Sequence, residues 1–196
     1  MKNVEAIDQL IDRVAGLLRT DARRAGAAHQ LQPVQLEALD YLNRANRYSD
    51  TAMAVTEYLG QTKGTVSQTL KVLLNKGYIE KRPDPEDKRI FHLAVTPTGR
   101  RALSECKPSP LLRKAAQLLE NGELEITAKR LRELLHALQE ANNFRTFGQC
   151  SGCVHNMVSD GDHWCGLTRQ PLSISDTQLI CREFTSREQW HPIGKR

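Results

Sequence analysis

The sequence predicts a mainly α chain with one small β-hairpin and a compact cysteine-bearing C-terminal segment, and three patterns carry that expectation. Val4, Ile7, Leu10, Ile11, Val14, Leu17 and Leu18 recur at three- and four-residue spacing, as do Leu131, Leu134, Leu135 and Leu138 much later; that period is a helix with one apolar stripe. Two short β-prone runs, 78–82 and 90–95, flank a charged tip at 83–87, the pattern of a hairpin. Cys150, Cys153, Cys165 and Cys181 form a C-x2-C-x11-C-x15-C array in a stretch rich in turn residues.

The first stripe places a helix over about 3–24. Gly26 and the 30–33 stretch end it, and Pro33 suits the first turn of a second helix burying Leu36, Leu39 and Leu42, because its fixed φ is already helical and its missing N–H is not needed there. Residues 46–50 read as a polar connection. A short third helix follows over 51–59, Gly60 breaks it, and Thr62 caps a fourth that runs to about 75. Val66, Leu70 and Leu73 share one face of that helix and leave Lys63, Thr65, Ser67, Gln68 and Lys71 pointing outward. Gly77 ends it and the hairpin begins. Thr96 before Pro97 opens another helix; Pro108 and Pro110 interrupt it, so 111–120 is either a kinked continuation or a separate piece. Asn121-Gly122 is a turn, and a last helix spans about 123–142.

At 196 residues, 39% hydrophobic and 26% charged, the chain has room for one ordinary domain and an appendage. Neither an apolar leader nor a membrane-length run is evident in the sequence, so the expectation is a cytoplasmic protein with no membrane partner. Charge is concentrated: residues 60–101 hold nine Lys and Arg against four acids, an excess equal to the +5 of the whole chain, while the segment from 148 onward is neutral. A basic middle points to a polyanion, most simply nucleic acid. A nucleophile–base set, a Gly-rich phosphate loop and paired acids are all missing from the pattern, so the chain is read as no enzyme.

Two short helices joined by a tight turn, then a basic hairpin, make a winged helix-turn-helix, in which the second helix fills the major groove and the hairpin tip reaches the neighbouring minor groove. Gln68 suits adenine edges, Lys63 and Lys71 suit phosphate or guanine, and Thr65 and Ser67 suit either. Lys88 and Arg89 lie at the hairpin tip, where an arginine finds the negative potential of a narrow minor groove. Asp87, Arg89, Thr96 and Gly99, preceded by Leu-x-x-x-Gly-Tyr-Ile at 73–79, resemble the wing motif of the MarR family of transcriptional regulators. The resemblance covers about 3–142. It implies a homodimer on double-stranded DNA with a palindromic operator, built by the N-terminal helix and the C-terminal helical pair. Pro108 and Pro110 fall where that family usually has a long unbroken helix.

The cysteines open three readings. Structural zinc sites commonly repeat a close cysteine pair or end in paired histidines, whereas this array has one close pair and two single cysteines, a layout suited to an iron-sulfur cluster of the [4Fe-4S] type, whose irons take thiolates from scattered loops. Zinc and a metal-free thiol switch are the alternatives. The segments around Cys150-Ser-Gly-Cys153, Trp164-Cys165-Gly-Leu-Thr and Ile180-Cys181-Arg-Glu-Phe184 also look like cluster-binding segments of some small iron-sulfur subunits of glycyl-radical enzymes. His155 and His163 lie inside the array as spare ligands or as bystanders; Trp164 and Phe184 are expected to shield the centre; the isolated Cys106 reads as a buried small hydrophobe.

Four segments follow: a dimerisation helix at 1–32, the winged helix-turn-helix at 33–99, dimerisation helices at 100–145 and the four-cysteine segment at 146–196. The functional expectation is a DNA-binding regulator sensing redox, oxygen or iron through the tail, with the tail acting on the dimerisation helices that precede it. Rival readings are a ligand-responsive regulator with structural zinc and an electron-transfer or accessory protein that docks through its winged helix.

Overall fold

The computed structural model describes residues 2–85, 87–141, 147–159 and 161–187. The hairpin-tip residue Glu86, the expected helix end at 142, the 145/146 boundary and Asp160 lie outside the described residues. Helix α1 (Lys2–Ala27) runs three residues past its expected end and closes at Gly26, where a Cβ would meet the Leu31 carbonyl. Helix α2 (Pro33–Arg44) has Pro at its start and a capping box between Gln32 and Gln35. It is the hub of the core: Leu36, Leu39 and Tyr41 are fully buried.

Helix α3 (Ala52–Leu59) starts at Thr51, whose side chain accepts from the Ala54 N–H, and stops at Gly60 with φ 61°, a left-handed value that costs glycine nothing. Thr62 accepts from the Thr65 N–H and opens α4 (Lys63–Asn75), which buries Val66, Thr69, Leu70 and Leu73. Strands β1 (Ile79–Pro83) and β2 (Phe91–Val95) pair antiparallel, Ile79 opposite Val95 and Pro83 opposite Phe91. Helix α5 (Pro97–Cys106) begins at Thr96, whose hydroxyl accepts from the Gly99 N–H and donates to the Gly77 carbonyl at 2.6 Å. Gly99 is required here because a Cβ would overlap the Tyr78 carbonyl. The Thr-x-x-Gly motif therefore clamps the hairpin base to the next helix.

The two prolines divide the C-terminal helices. Helix α6 (Pro110–Ala116) is separate from α5, capped by Ser109, whose hydroxyl also donates to Asp21 of α1 at 2.5 Å. Helix α7 (Glu123–Ala141) buries none of its described residues. The leucine stripes of α1 and α7 face solvent, with Val4 70%, Leu10 64%, Leu131 57% and Leu138 55% exposed, which is what two apolar faces awaiting a partner layer look like. Cys106 is buried and donates to the Ala25 carbonyl at 3.4 Å, as a small hydrophobe with a weak donor does.

The tail is more ordered than its turn-rich sequence suggests. Strand β3 (Gly148–Gln149) pairs with β7 (Ile180–Cys181), and β4 (Asn156–Ser159), β5 (Asp162–Cys165) and β6 (Gln170–Leu172) form a three-stranded meander. A 3-10 turn, Cys150–Gly152, and a one-turn helix α8 (Ile174–Thr177) complete it. Strands this short carry no readable alternation, which is why residue pattern alone yielded only turns.

Candidate nucleic-acid interface and thiol centre

On α4 the side chains of Lys63, Thr65, Ser67, Gln68 and Lys71 are all exposed, while Val66, Leu70 and Leu73 hold the helix to α2 and α3. The expected polar and basic face is therefore presented outward; only Thr65 is engaged locally, its hydroxyl 3.0 Å from that of Thr62. Lys88 and Arg89 are exposed at the hairpin tip. Asp87 grips the Arg89 guanidinium at 2.9 and 2.7 Å and accepts from the Arg89 N–H. These bonds hold the Asp87 carboxyl below the usual carboxylate range. An aspartate two residues before an arginine thus presets its fork in an otherwise open loop.

The hairpin is tied back to the helices by His92. Its ring lies 2.5 Å from Asp50 and 2.9 Å from Asp84, and both carboxylates raise its pKa, the Asp84 bond foremost. Burial raises the Asp50 carboxyl in turn. The Leu93 N–H also donates to the Asp50 carbonyl at 2.8 Å. None of Asp50, Asp84 or His92 was singled out from sequence; no short-range pattern joins them.

Cys150, Cys153, Cys165 and Cys181 line one small cavity together with Leu167, Leu172, His155 and Glu183. Cys150 rises from the 3-10 turn, Cys165 from the end of β5 and Cys181 from β7. Burial pushes the Cys150 thiol up to about 12, and the three other thiols add to the shift. Neutral thiols are what a buried cluster of sulfurs adopts without a cation, since thiolates in one low-dielectric site repel. Backbone N–H groups already face the sulfurs: Thr185 donates to Cys153 at 3.5 Å and Glu183 to Cys181. Among the described residues, no three His, Cys, Asp or Glu side chains stand close enough together to hold a single metal ion.

The flanking residues divide. His155 lines the cavity, whereas His163 is bonded to Asn156 at 3.0 Å. Phe184 packs over Gly148 and Gly152, beneath the turn carrying Cys150. Trp164 does not shield the cavity: it pairs with Met157 on the outer face of the meander and is 44% exposed, because alternation along β5 turns it away from Cys165. Two further cavity residues, Asn46 and Tyr48, come from the connection between α2 and α3. The 46–50 stretch is the polar connection expected, with Arg47 exposed but Asn46 and Ser49 only 3% and 0% exposed.

The fold and the outward face can be set beside known proteins. A model described as the MarR family matches residues 29–90. A MarR transcriptional regulator from Methanosarcina mazei Go1 superposes with TM-score 0.57 at 18% identity over 69% of this chain and 98% of its own. Over about two thirds of its length the chain shares the winged-helix fold of that structure. MepR from S. aureus in its complex with DNA is similar at TM-score 0.55, with 21% identity over 68% of this chain and 98% of MepR. Wild-type MarR from E. coli, in its apo form, is similar at TM-score 0.54, with 20% identity over 65% of this chain and 96% of its own. No curated protein sequence matches. Among the described residues, no helix is long and apolar enough to cross a membrane.

Proposed function

We propose that the chain is a homodimeric, sequence-specific DNA-binding transcriptional regulator whose C-terminal thiols hold an iron-sulfur cluster of the [4Fe-4S] type, through which it responds to redox state, oxygen or iron supply. The observation that carries the DNA-binding part is the exposed face of α4, with Lys63, Gln68 and Lys71 free of the core, beside a wing arginine preset by Asp87. A docking module or electron carrier has no use for a polar and basic helix next to such an arginine. MepR, of similar fold, is known in complex with DNA. The homodimer rests on the exposed leucine stripes of α1 and α7, and a two-fold protein reads a palindrome with half-sites about one helical turn apart.

The cluster reading rests on four thiols ringing one apolar-lined cavity, with backbone N–H groups aimed at two of the sulfurs. A single zinc takes its sulfurs within about 2.3 Å of one point, the rival arrangement for the same four thiols. A cubane takes one thiolate at each of four separated irons. Cys150, Cys153, Cys165 and Cys181 would supply those ligands; the cluster would supply an oxidisable, iron-dependent group.

Two measurements test this. Duplex affinity should fall steeply with salt, with Lys71→Ala flattening the slope and Gln68→Ala relaxing base preference; salt-independent binding, or none, overturns the regulator. Anaerobically purified protein should be brown, with about four irons per chain; colourless protein with one zinc per chain selects the rival centre.

A further inference from the structure

Among the described residues, the cysteine segment is anchored on the helix-turn-helix. Phe147 stands edge-on to Tyr41 of α2 and Tyr58 of α3, with ring centroids 5.9 and 5.2 Å apart. Ile180 enters the core of the winged helix, forms a parallel bridge with Ala45, and its carbonyl accepts from the Asn46 N–H at 2.9 Å. The Arg182 N–H donates to the Ser49 hydroxyl at 2.8 Å, and its guanidinium donates twice to Glu57 of α3 at 2.6 and 2.7 Å. Tyr48 and Arg47 reach the meander through Gln170 and the Pro171 carbonyl, both at 2.7 Å. Cys181 lies between the two anchor residues, and the side chains of Asn46 and Ser49 hydrogen-bond its thiol.

The same connection carries the DNA-reading parts on its other side. The Ser49 carbonyl accepts from Tyr41 at 2.8 Å, the Asp50 carbonyl accepts from Leu93 of β2, the Asp50 carboxylate holds His92, and Thr51 caps α3. Six residues, 46–51, therefore have the thiol centre on one flank and the hairpin and α3 on the other. We propose that this connection is the relay: filling the thiol centre fixes the Cys181–Arg182 strand, the strand fixes 46–51 and Glu57, and α3 and the hairpin are thereby held in the arrangement that binds DNA, so that the loaded form binds more tightly.

The relay rests on the cluster reading above. Its physical basis is the thin construction of the tail. Strand β7 has two residues, and a pair of two-residue strands does not persist alone. With the centre empty, the segment opens locally at low cost, and opening strips Arg182 from the buried Ser49 hydroxyl and from Glu57. Buried polar groups that lose their partners relax until they find others, and 46–51 is the backbone that must move.

The test uses the full chain reconstituted anaerobically with ferrous iron and sulfide, its metal-free form, and a duplex selected from a random pool by each form in parallel. Wild type should bind its duplex about ten-fold or more tightly when loaded, a coupling of ordinary size, and emptying the centre should speed amide exchange across 45–59 and 91–95. Glu57→Gln should keep its iron and visible absorption while the gap between the two forms shrinks below about three-fold. Exchanging the charges, Glu57→Arg with Arg182→Glu, should restore it. If Glu57→Gln loses helical circular dichroism, Arg182→Gln carries the same measurement. A full gap in the Gln variant with its centre intact overturns the relay, as does an exchange response confined to 110–141, or loaded and empty wild type that bind alike. A colourless, iron-free wild type instead overturns the centre itself and the relay with it.

Discussion

The winged helix and the cysteine segment lie against each other, yet different forces hold them. Between Leu36 and Leu103 the chain buries Leu36, Leu39, Tyr41, Val55, Val66, Leu73, Ile79 and Leu93 almost completely, a continuous apolar core. In the described part of the tail the buried apolar groups are Cys150, Cys153, Leu172 and Ile180, and Ile180 belongs to the core of its neighbour. Burial of two aliphatic side chains does not offset the entropy of ordering some forty residues. What differs is the source of stability: one region folds by excluding water, whereas the other leans on where its ends are docked and, on the proposed reading, on the group its thiols would hold.

The contrast is open to attack. The largest effect is expected from Cys153→Ser: the centre fails to assemble, exchange protection over 147–187 is lost, and the winged helix unfolds in urea at the midpoint of the metal-free wild type. Cys106→Ser should keep both iron and protection. A Cys153→Ser tail that remained protected would show that the segment has a core of its own. Conversely, Leu39→Ala removes a fully buried side chain and should cost about 2–5 kcal/mol of metal-free stability in urea; a loss below about 1 kcal/mol would mean that the helical core is not what holds this region.

Arg89→Ala sharpens the same division on the functional side. Fully exposed and held only by Asp87, it should weaken duplex binding by about 1–3 kcal/mol while leaving melting unchanged. Unchanged affinity at fixed salt would remove the wing from the interface. The smallest effect concerns His92. Its pKa is raised by Asp84 and Asp50, so the stabilisation is complete below about 6.5 and is lost as pH rises through the higher folded value. Burial makes Asp50 protonate above the ordinary carboxylate range, which closes the window from below. The urea stability of wild type over His92→Gln, about 1 kcal/mol for a half-buried pair, should therefore narrow between pH 6.5 and 8; a gap that widens would mean His92 acts as a neutral hydrogen-bonding group.

Legibility in the sequence followed the range of the interactions. Thr51, Thr62 and Thr96 act within three residues, and Gly60 and Gly77 act at their own φ, so helices α2 to α5 and the hairpin fell within a residue or two of expectation. The α4 face was readable because Val66, Leu70 and Leu73 set its phase. The array of cysteines was readable as a set, though not their arrangement around one cavity. The expectation that the tail acts on the helices before it followed chain order; Arg182 and Glu57 are 125 residues apart, and nothing in either neighbourhood names the other.

The helices and hairpin up to residue 141, the outward face of α4, the hairpin arginine and the identity of the four thiols were determined by the sequence itself, because each depends on period, cap or spacing within one or two turns of chain. The tertiary structure alone decided that Asn46 and Ser49 are buried, that Trp164 faces away from the thiols, and that the tail is docked on α2 and α3. Those outcomes depend on which distant surfaces exclude water together and which buried donors find acceptors. Such pairings are properties of the packed chain, and no local pattern encodes them.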